Sequence, residues 1–324
     1  MKRTVWCLTL VLCLLLSACG SDRDDPRQAP SFQDAAQTEE TDIWLVVDGR
    51  EVPAWRYLYW LSRACTAIRT EYEAAGLEPD WTAAAGTQTL AEYVKQQALS
   101  DTVLYATVEN WAEQYGCWTA EDEETQAALD MGVTQEQAGE LAATGRMYAQ
   151  LYELFCTEGS ALAPAAEELA AFAEEQGWVT YDCILVPLGE DRDAAAAKAA
   201  ELFSRLNAAA DRVAEFAALA AETGVSPEPR TVRLGSELLS TVEKDALAPL
   251  EEGQYSGILE TEQGFCILRR LKLDAAVARE AYFDALLQRA ADEAQVQCSK
   301  AYEELDVAEF NRKMQEQEMQ RGKK

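Results

Sequence analysis

The chain has 324 residues, 48% of them hydrophobic, with 57 acidic against 28 basic side chains, a formal net charge of −29 and no histidine. The hydrophobic share excludes wholesale disorder, and the charge repels nucleic acid and anionic lipid alike, so no nucleic-acid partner is expected. The missing imidazole excludes a Ser-His-Asp hydrolase and an HExxH zinc protease, which need histidine as base or ligand.

Lys2 and Arg3 precede an apolar run from Val5 to Leu16, too short for a comfortable membrane span, and the run ends in Leu16-Ser17-Ala18-Cys19. A charged start, a short apolar run and small residues before a cut site predict a secretory leader over 1–18. Removing Lys2 and Arg3 with it takes the net charge from −29 to −31. Residues 19–42, rich in Asp, Pro, Gln and Ser, read as a flexible tether. Of nine cysteines, Cys7 and Cys13 leave with the leader and six lie in the body: Cys65, Cys117, Cys156, Cys183, Cys266 and Cys298. An even number in an exported protein permits disulfides, and one or two could staple the helices that carry Cys65, Cys117, Cys156 and Cys298. No CxxC pair occurs, so neither a zinc ribbon nor a thioredoxin-type motif is supported.

The body opens with Ile43 to Val52, a strand, an Asp-Gly turn and a short return. Pro53 starts a helix toward Ala75, and a second helix covers about 88 to 115, where Leu104, Val108, Trp111 and Tyr115 recur at helical spacing. Gly116 stops it. Thr119 caps a third helix with early acids Glu121, Asp122 and Glu123, and Thr134 caps a fourth reaching about Thr157. Pro164 starts a fifth, ending at Gly177. The pattern then changes. A strand over Val179 to Leu188 precedes a helix from Asp191 to Ala209 and a shorter one capped by Asp211. A short strand at Val232 to Leu234, a helical turn near 241 to 248, and strands at Gly257 to Glu260 and Phe265 to Leu271 complete a βααβαββ order. From Asp274 the chain is helical again, with Phe283, Leu287, Ala290 and Ala294 as an apolar stripe that needs a surface to pack on. The expected fold class is therefore α+β. A helical domain over 43–177 receives a βααβαββ domain inserted at 178–273, and the segment 274–324 returns to pack on the helices.

Trp44, Trp55, Tyr57, Tyr59 and Trp60 read chiefly as core, with a client-gripping surface as the competing use. The acidic runs Glu121 to Glu124 and Glu303 to Asp306 read as solvated faces; no EF-hand spacing appears, and no metal or cofactor is expected.

Several segments carry a family resemblance. Tyr181-Asp-Cys-Ile-Leu-Val186, Phe216-Ala-Ala-Leu-Ala220, Leu234-Gly235, Leu250-Glu-Glu-Gly-Gln-Tyr-Ser256 and Thr261-Glu-Gln-Gly-Phe-Cys-Ile-Leu268 resemble, in order and spacing, the parvulin (PpiC-type) peptidyl-prolyl isomerase domain. The flanking helices with their VDGREVP opening are similar to the chaperone domain of the PrsA and SurA foldases. The Leu-Ser-Ala-Cys ending resembles a bacterial lipobox, which implies diacylglycerol on Cys19 and a membrane held through that lipid.

The resemblance implies an extracytoplasmic, lipid-anchored foldase or chaperone for unfolded or proline-containing secreted polypeptides. By carry-over, Cys183 and Cys266 stand where the family has two histidines side by side beneath the proline pocket. Leu234 and Leu239 match apolar pocket positions, Thr261 a further substrate-pocket position, Ser226 a polar position, and Gln263 the turn before the last strand. Glu243 falls where the family places a phenylalanine that grips the proline ring, and a carboxylate there weakens an apolar pocket. Prolyl rotation, with a barrier of about 18–20 kcal/mol, needs a dry, shaped site rather than a covalent step. Loss of both histidines therefore leaves isomerase activity weak or lost rather than forbidden. Facing positions on adjacent strands would bring the Cys183 and Cys266 Cβ atoms to about 4.5–5.5 Å. A cross-strand disulfide, two packed free thiols, and a reactive pair or metal site all stay open. A non-catalytic holdase or assembly scaffold on the same frame is the alternative. A solute-binding or adhesive surface lipoprotein is a third, opposed by the lack of repeated α/β units.

Overall fold

The computed structural model describes residues 31–39, 41–117, 133–224 and 228–322. In chain order the elements are α1 (Phe32–Ala36), β1 (Ile43–Val47), β2 (Arg50–Pro53), α2 (Ala54–Ala74), β3 (Ala84–Ala85), β4 (Gln88–Thr89), α3 (Leu90–Tyr115) and α4 (Gln135–Cys156). Then come α5 (Ala166–Glu175), β5 (Trp178–Pro187), α6 (Arg192–Ala208), α7 (Arg212–Glu222), β6 (Arg230–Arg233), α8 (Thr241–Leu247), β7 (Leu259–Thr261) and β8 (Gly264–Arg270). The last are α9 (Arg279–Glu293), β9 (Val296–Cys298), α10 (Lys300–Glu304) and α11 (Val307–Gly322). The fold is α+β. Its contacts divide into one unit of 1–161 with 283–324 and a second of 162–282.

In the first unit, α3 and α4 both start with a capping box, Thr89 with Glu92 and Thr134 with Gln137, which satisfies N–H groups that a helix start leaves open. Gly116, with φ of 73°, ends α3 in the left-handed conformation that glycine tolerates. The helix expected after Thr119 lies outside the described residues. Trp44, Trp55, Tyr57 and Tyr59 are buried in the core, and Trp60 packs against it, so this aromatic run serves packing. A polar knot ties the helices: Arg56 Nη1 donates to both carboxylate oxygens of Glu109 at 2.6 and 2.7 Å, and Thr144 Oγ1 donates to Oε1 at 2.7 Å.

Two expectations for this unit are corrected. The tether expected over 19–42 gives way to structure from Ser31 onward. Ser31 caps α1, Phe32 and Ala35 are buried, and α1 packs on α11 and α2. An apolar ring with a partner surface does not stay in water. Cys19, the leader and residues 20–30 lie outside the described residues. The return segment is likewise not one helix. Its stripe residues Phe283 and Leu287 are buried as expected, but β9 interrupts the helices to pair with the open edge of β1, Leu45 opposite Cys298 and Val47 opposite Val296. Backbone groups on a strand edge need partners, and β9 supplies them.

The second unit is a four-stranded antiparallel sheet in the order β6-β5-β8-β7. Asp191 and Asp211 cap α6 and α7, whose Leu202, Leu206, Phe216 and Leu219 are fully buried against Ile184, Val186, Phe265 and Ile267 on one sheet face. Helix α5, expected among the flanking helices, packs on β5 and on the turn at 275–278 and so belongs with the sheet. Gly264 opens β8 where β5 passes closest. A Cβ there would meet the Val186 carbonyl oxygen at 2.1 Å, so only glycine fits.

Candidate functional site: the α8 face of the sheet

Alternation along the strands puts a second set of side chains on the opposite face. Val179, Tyr181, Cys183 and Leu185 from β5 join Cys266 and Leu268 from β8, Leu259 from β7 and Val232 from β6. Leu239 and Leu247 close over them from α8 and the loop before it, with Leu234, Ala246 and Leu250 partly buried. The cover is incomplete. Cys183, Leu185 and Leu234 stay half-exposed, and the covering segments expose Leu238 (81%) and Val242 (45%) to solvent.

The structure thus brings Cys183, Cys266, Leu234 and Leu239 to one face. It corrects their detailed register. Cys183 lies opposite Leu268, and Cys266 lies opposite Leu185, so the thiols are diagonal rather than facing neighbours. Diagonal positions stand about 7–8 Å apart, beyond the roughly 4.4–6.8 Å between Cα atoms that a disulfide spans. Both cysteines are free thiols, as are Cys65, Cys117 and Cys298. Burial pushes the Cys266 thiol up to about 12, and the charges of Glu243 and Cys183 push the same way. Burial also raises Cys183, with Arg230 opposing and Asp182 and Glu243 adding. Both therefore stay protonated at neutral pH and make poor nucleophiles and poor metal ligands. Among the described residues no cluster of three or more metal-ligating side chains occurs.

Glu243 stands at the third position of α8. Its Oε2 accepts from the Ser240 N–H at 2.9 Å and from Ser240 Oγ at 2.7 Å, while its own N–H donates to Ser240 Oγ at 3.3 Å. The side chain stays half-buried. The carboxylate that stands, by resemblance, at the family's phenylalanine position is thus held by a capping box. Thr261 spends its hydroxyl on the Gly264 carbonyl at 3.0 Å, and Gln263 is exposed at the tip of the β7–β8 hairpin. Ser226 lies outside the described residues.

One buried pair went unread in the sequence. Asp182, 2% exposed, accepts from Arg269 Nε at 3.0 Å and Nη2 at 2.5 Å, and the same guanidinium sits 4.4 Å from the Phe216 ring centroid. These groups lie on the α6–α7 side of the sheet, across from the thiols. The only sequence signal was an acid inside an apolar strand run, Tyr181-Asp182-Cys183.

A scan against protein-family models finds no match, and a search of curated proteins finds none either. Among solved structures, the chain is similar to PrsA from Bacillus subtilis, at 13% identity over 87% of this chain and 93% of that one, with a TM-score of 0.26. It is similar to the peptidylprolyl isomerase PrsA from Bacillus cereus, at 14% identity over 87% and 93%, with a TM-score of 0.28. One of two SurA-like chaperones from Campylobacter jejuni, PEB4 and Cj1289, aligns at 11% identity over 76% and 91%, with a TM-score of 0.23. Scores this low leave the functional argument to the chain's own residues; the structural neighbours are PrsA and SurA-like proteins.

Proposed function

We propose that the chain is an extracytoplasmic foldase or chaperone, lipid-anchored through Cys19, that holds unfolded or proline-containing secreted polypeptides on the α8 face of its sheet unit. One observation carries this reading: an apolar floor of Cys183, Leu185 and Leu234 left half-open beneath segments that expose Leu238 and Val242. Exposed apolar surface of this kind marks a binding surface rather than a failed core. The family resemblance of Tyr181 to Val186 and Thr261 to Leu268 supports the same face, and the leader with its Leu-Ser-Ala-Cys ending supports export and lipid attachment.

Isomerisation on this face is weak or absent. Two protonated thiols supply no acid or base near neutral pH, and Glu243 puts a charge beside the floor, where a dry apolar wall would favour loss of amide resonance. The test pairs two assays on the full chain. Suppression of aggregation of a denatured reporter is expected at near-stoichiometric ratios. In a protease-coupled assay on a proline peptide, rates at or slightly above the uncatalysed control are expected. Strong rate enhancement overturns the weak-catalysis part, and failure to suppress aggregation overturns the holding function.

A further inference from the structure

Glu243 does more than start α8. All of its capping-box acceptor bonds fall on Oε2, so Oε1 has no protein partner among the described residues. Its charge bears on three groups of the sheet face at once: Tyr181, Cys183 and Cys266 are each raised in part by it, burial being the larger cause in every case. Arg230, opposite Tyr181 on β6, acts against it on Tyr181 and Cys183 but has no effect of this kind on Cys266. No ion pair joins Arg230 to Glu243 among the described residues. Geometry places both groups: Arg230 stands on β6, while α8 packs on β7 and β8 with Ala246 and Leu247, three and four positions on from Glu243, in the floor cluster, so Glu243 shares the helix face turned to the sheet. The wider surroundings are one-signed. From Leu234 to Glu262 the chain has seven acids, Glu243 among them, and one base, Lys244.

A client lying across Cys183, Leu185 and Leu234 would take water from this carboxylate. Covered by an all-apolar segment, it would lose hydration without compensation. Covered by a segment carrying a cation at the right place, it would gain a charge-assisted hydrogen bond in a partly dry site. Discrimination between the two clients is the difference of these outcomes.

We propose that Glu243 is a specificity residue that selects polypeptide segments in which a lysine or arginine flanks an apolar or proline-containing stretch, with the cation reaching Oε1 and the apolar stretch covering the floor. The proposal rests on the reading that this face holds polypeptide, and it adds which polypeptides.

The test uses three labelled peptides sharing one apolar, proline-containing core and flanked by Lys, Ser or Glu. Each is titrated by fluorescence anisotropy against the full chain and against Glu243→Gln. Glutamine at this position keeps the capping box with Ser240, so α8 is retained while the charge is removed, and thermal melts of both proteins check this. The unsubstituted chain is expected to bind the Lys-flanked peptide about tenfold more tightly than the Ser-flanked one, the scale of one charge-assisted bond. In Glu243→Gln that gap is expected to shrink to the residue left by the general acidic field, which added salt then removes. Two results overturn the proposal while the holding function stands: equal affinity for the Lys and Ser peptides in the unsubstituted chain, or a full gap kept in Glu243→Gln. Absence of binding by all three peptides overturns both.

Discussion

Alternate residues of β5 face two differently built surroundings. Ile184 and Val186 meet α6 and α7, where Leu202, Leu206, Phe216 and Leu219 are fully buried and Asp182 is neutralised by Arg269. Tyr181, Cys183 and Leu185 meet one seven-residue helix and loops, and the cover buries Tyr181 but stops short of Cys183 and Leu185. One strand thus builds a sealed face that supplies stability and a half-open face that supplies surface. Substitutions on the first should act on folding, and substitutions on the second on binding.

The largest effects belong to the sealed face. Phe216→Ala removes a buried ring and the platform beneath the Arg269 guanidinium, and should lower unfolding free energy by about 3–5 kcal/mol, read from urea denaturation. Asp182→Ala strands a buried guanidinium and should cost about 3 kcal/mol. An unchanged urea midpoint in either variant would break the comparison. Gly264→Ala should cost about 2 kcal/mol by forcing β8 away from the Val186 carbonyl, and a wild-type melting curve would contradict the close strand approach. On the open face, Leu238→Ser should shift stability by no more than about 0.5 kcal/mol while reducing suppression of reporter aggregation. Loss of stability with intact holding would invert the assignment. The smallest effect is a pH trend. Cys266 has its thiol raised from its ordinary 9.0 to about 12 in the folded chain, so the folded state keeps a proton that the unfolded state releases. Stability from this group is full below pH 9 and declines as pH climbs toward 12. Cys266→Ala should flatten that decline in urea midpoints measured across the range.

Much of this architecture was legible because punctuation and alternation are local. Asp191, Asp211 and Thr134 cap helices where the sequence places them, and Asp48-Gly49 turns β1 into β2 with positive φ at both residues. Alternation along Tyr181 to Val186 and Phe265 to Leu268 sends Cys183 and Cys266 to the same face. Long-range register was not legible. β5 and β8 are joined by a long excursion through α6, α7 and α8, so no turn length fixes which residue faces which, and the thiols ended diagonal. The same limit hid α1. Ser31 is held by Gln317, 286 positions away, and Lys313 donates to the Ala35 carbonyl. At the site, Ser240-x-x-Glu243 is a readable capping box, but the reach of its charge to Cys266 depends on how α8 sits over the sheet.

Cys183 itself offers the most direct probe, because its thiol is half-exposed on the open face while Cys298 is exposed in the other unit. Alkylation of the native full chain, followed by peptide mass mapping, gives both rates in one sample with and without a saturating unfolded polypeptide. Occupation of the open face predicts that Cys183 modification slows several-fold while Cys298 keeps its rate. An unchanged Cys183 rate with polypeptide bound would contradict the claim that clients lie there.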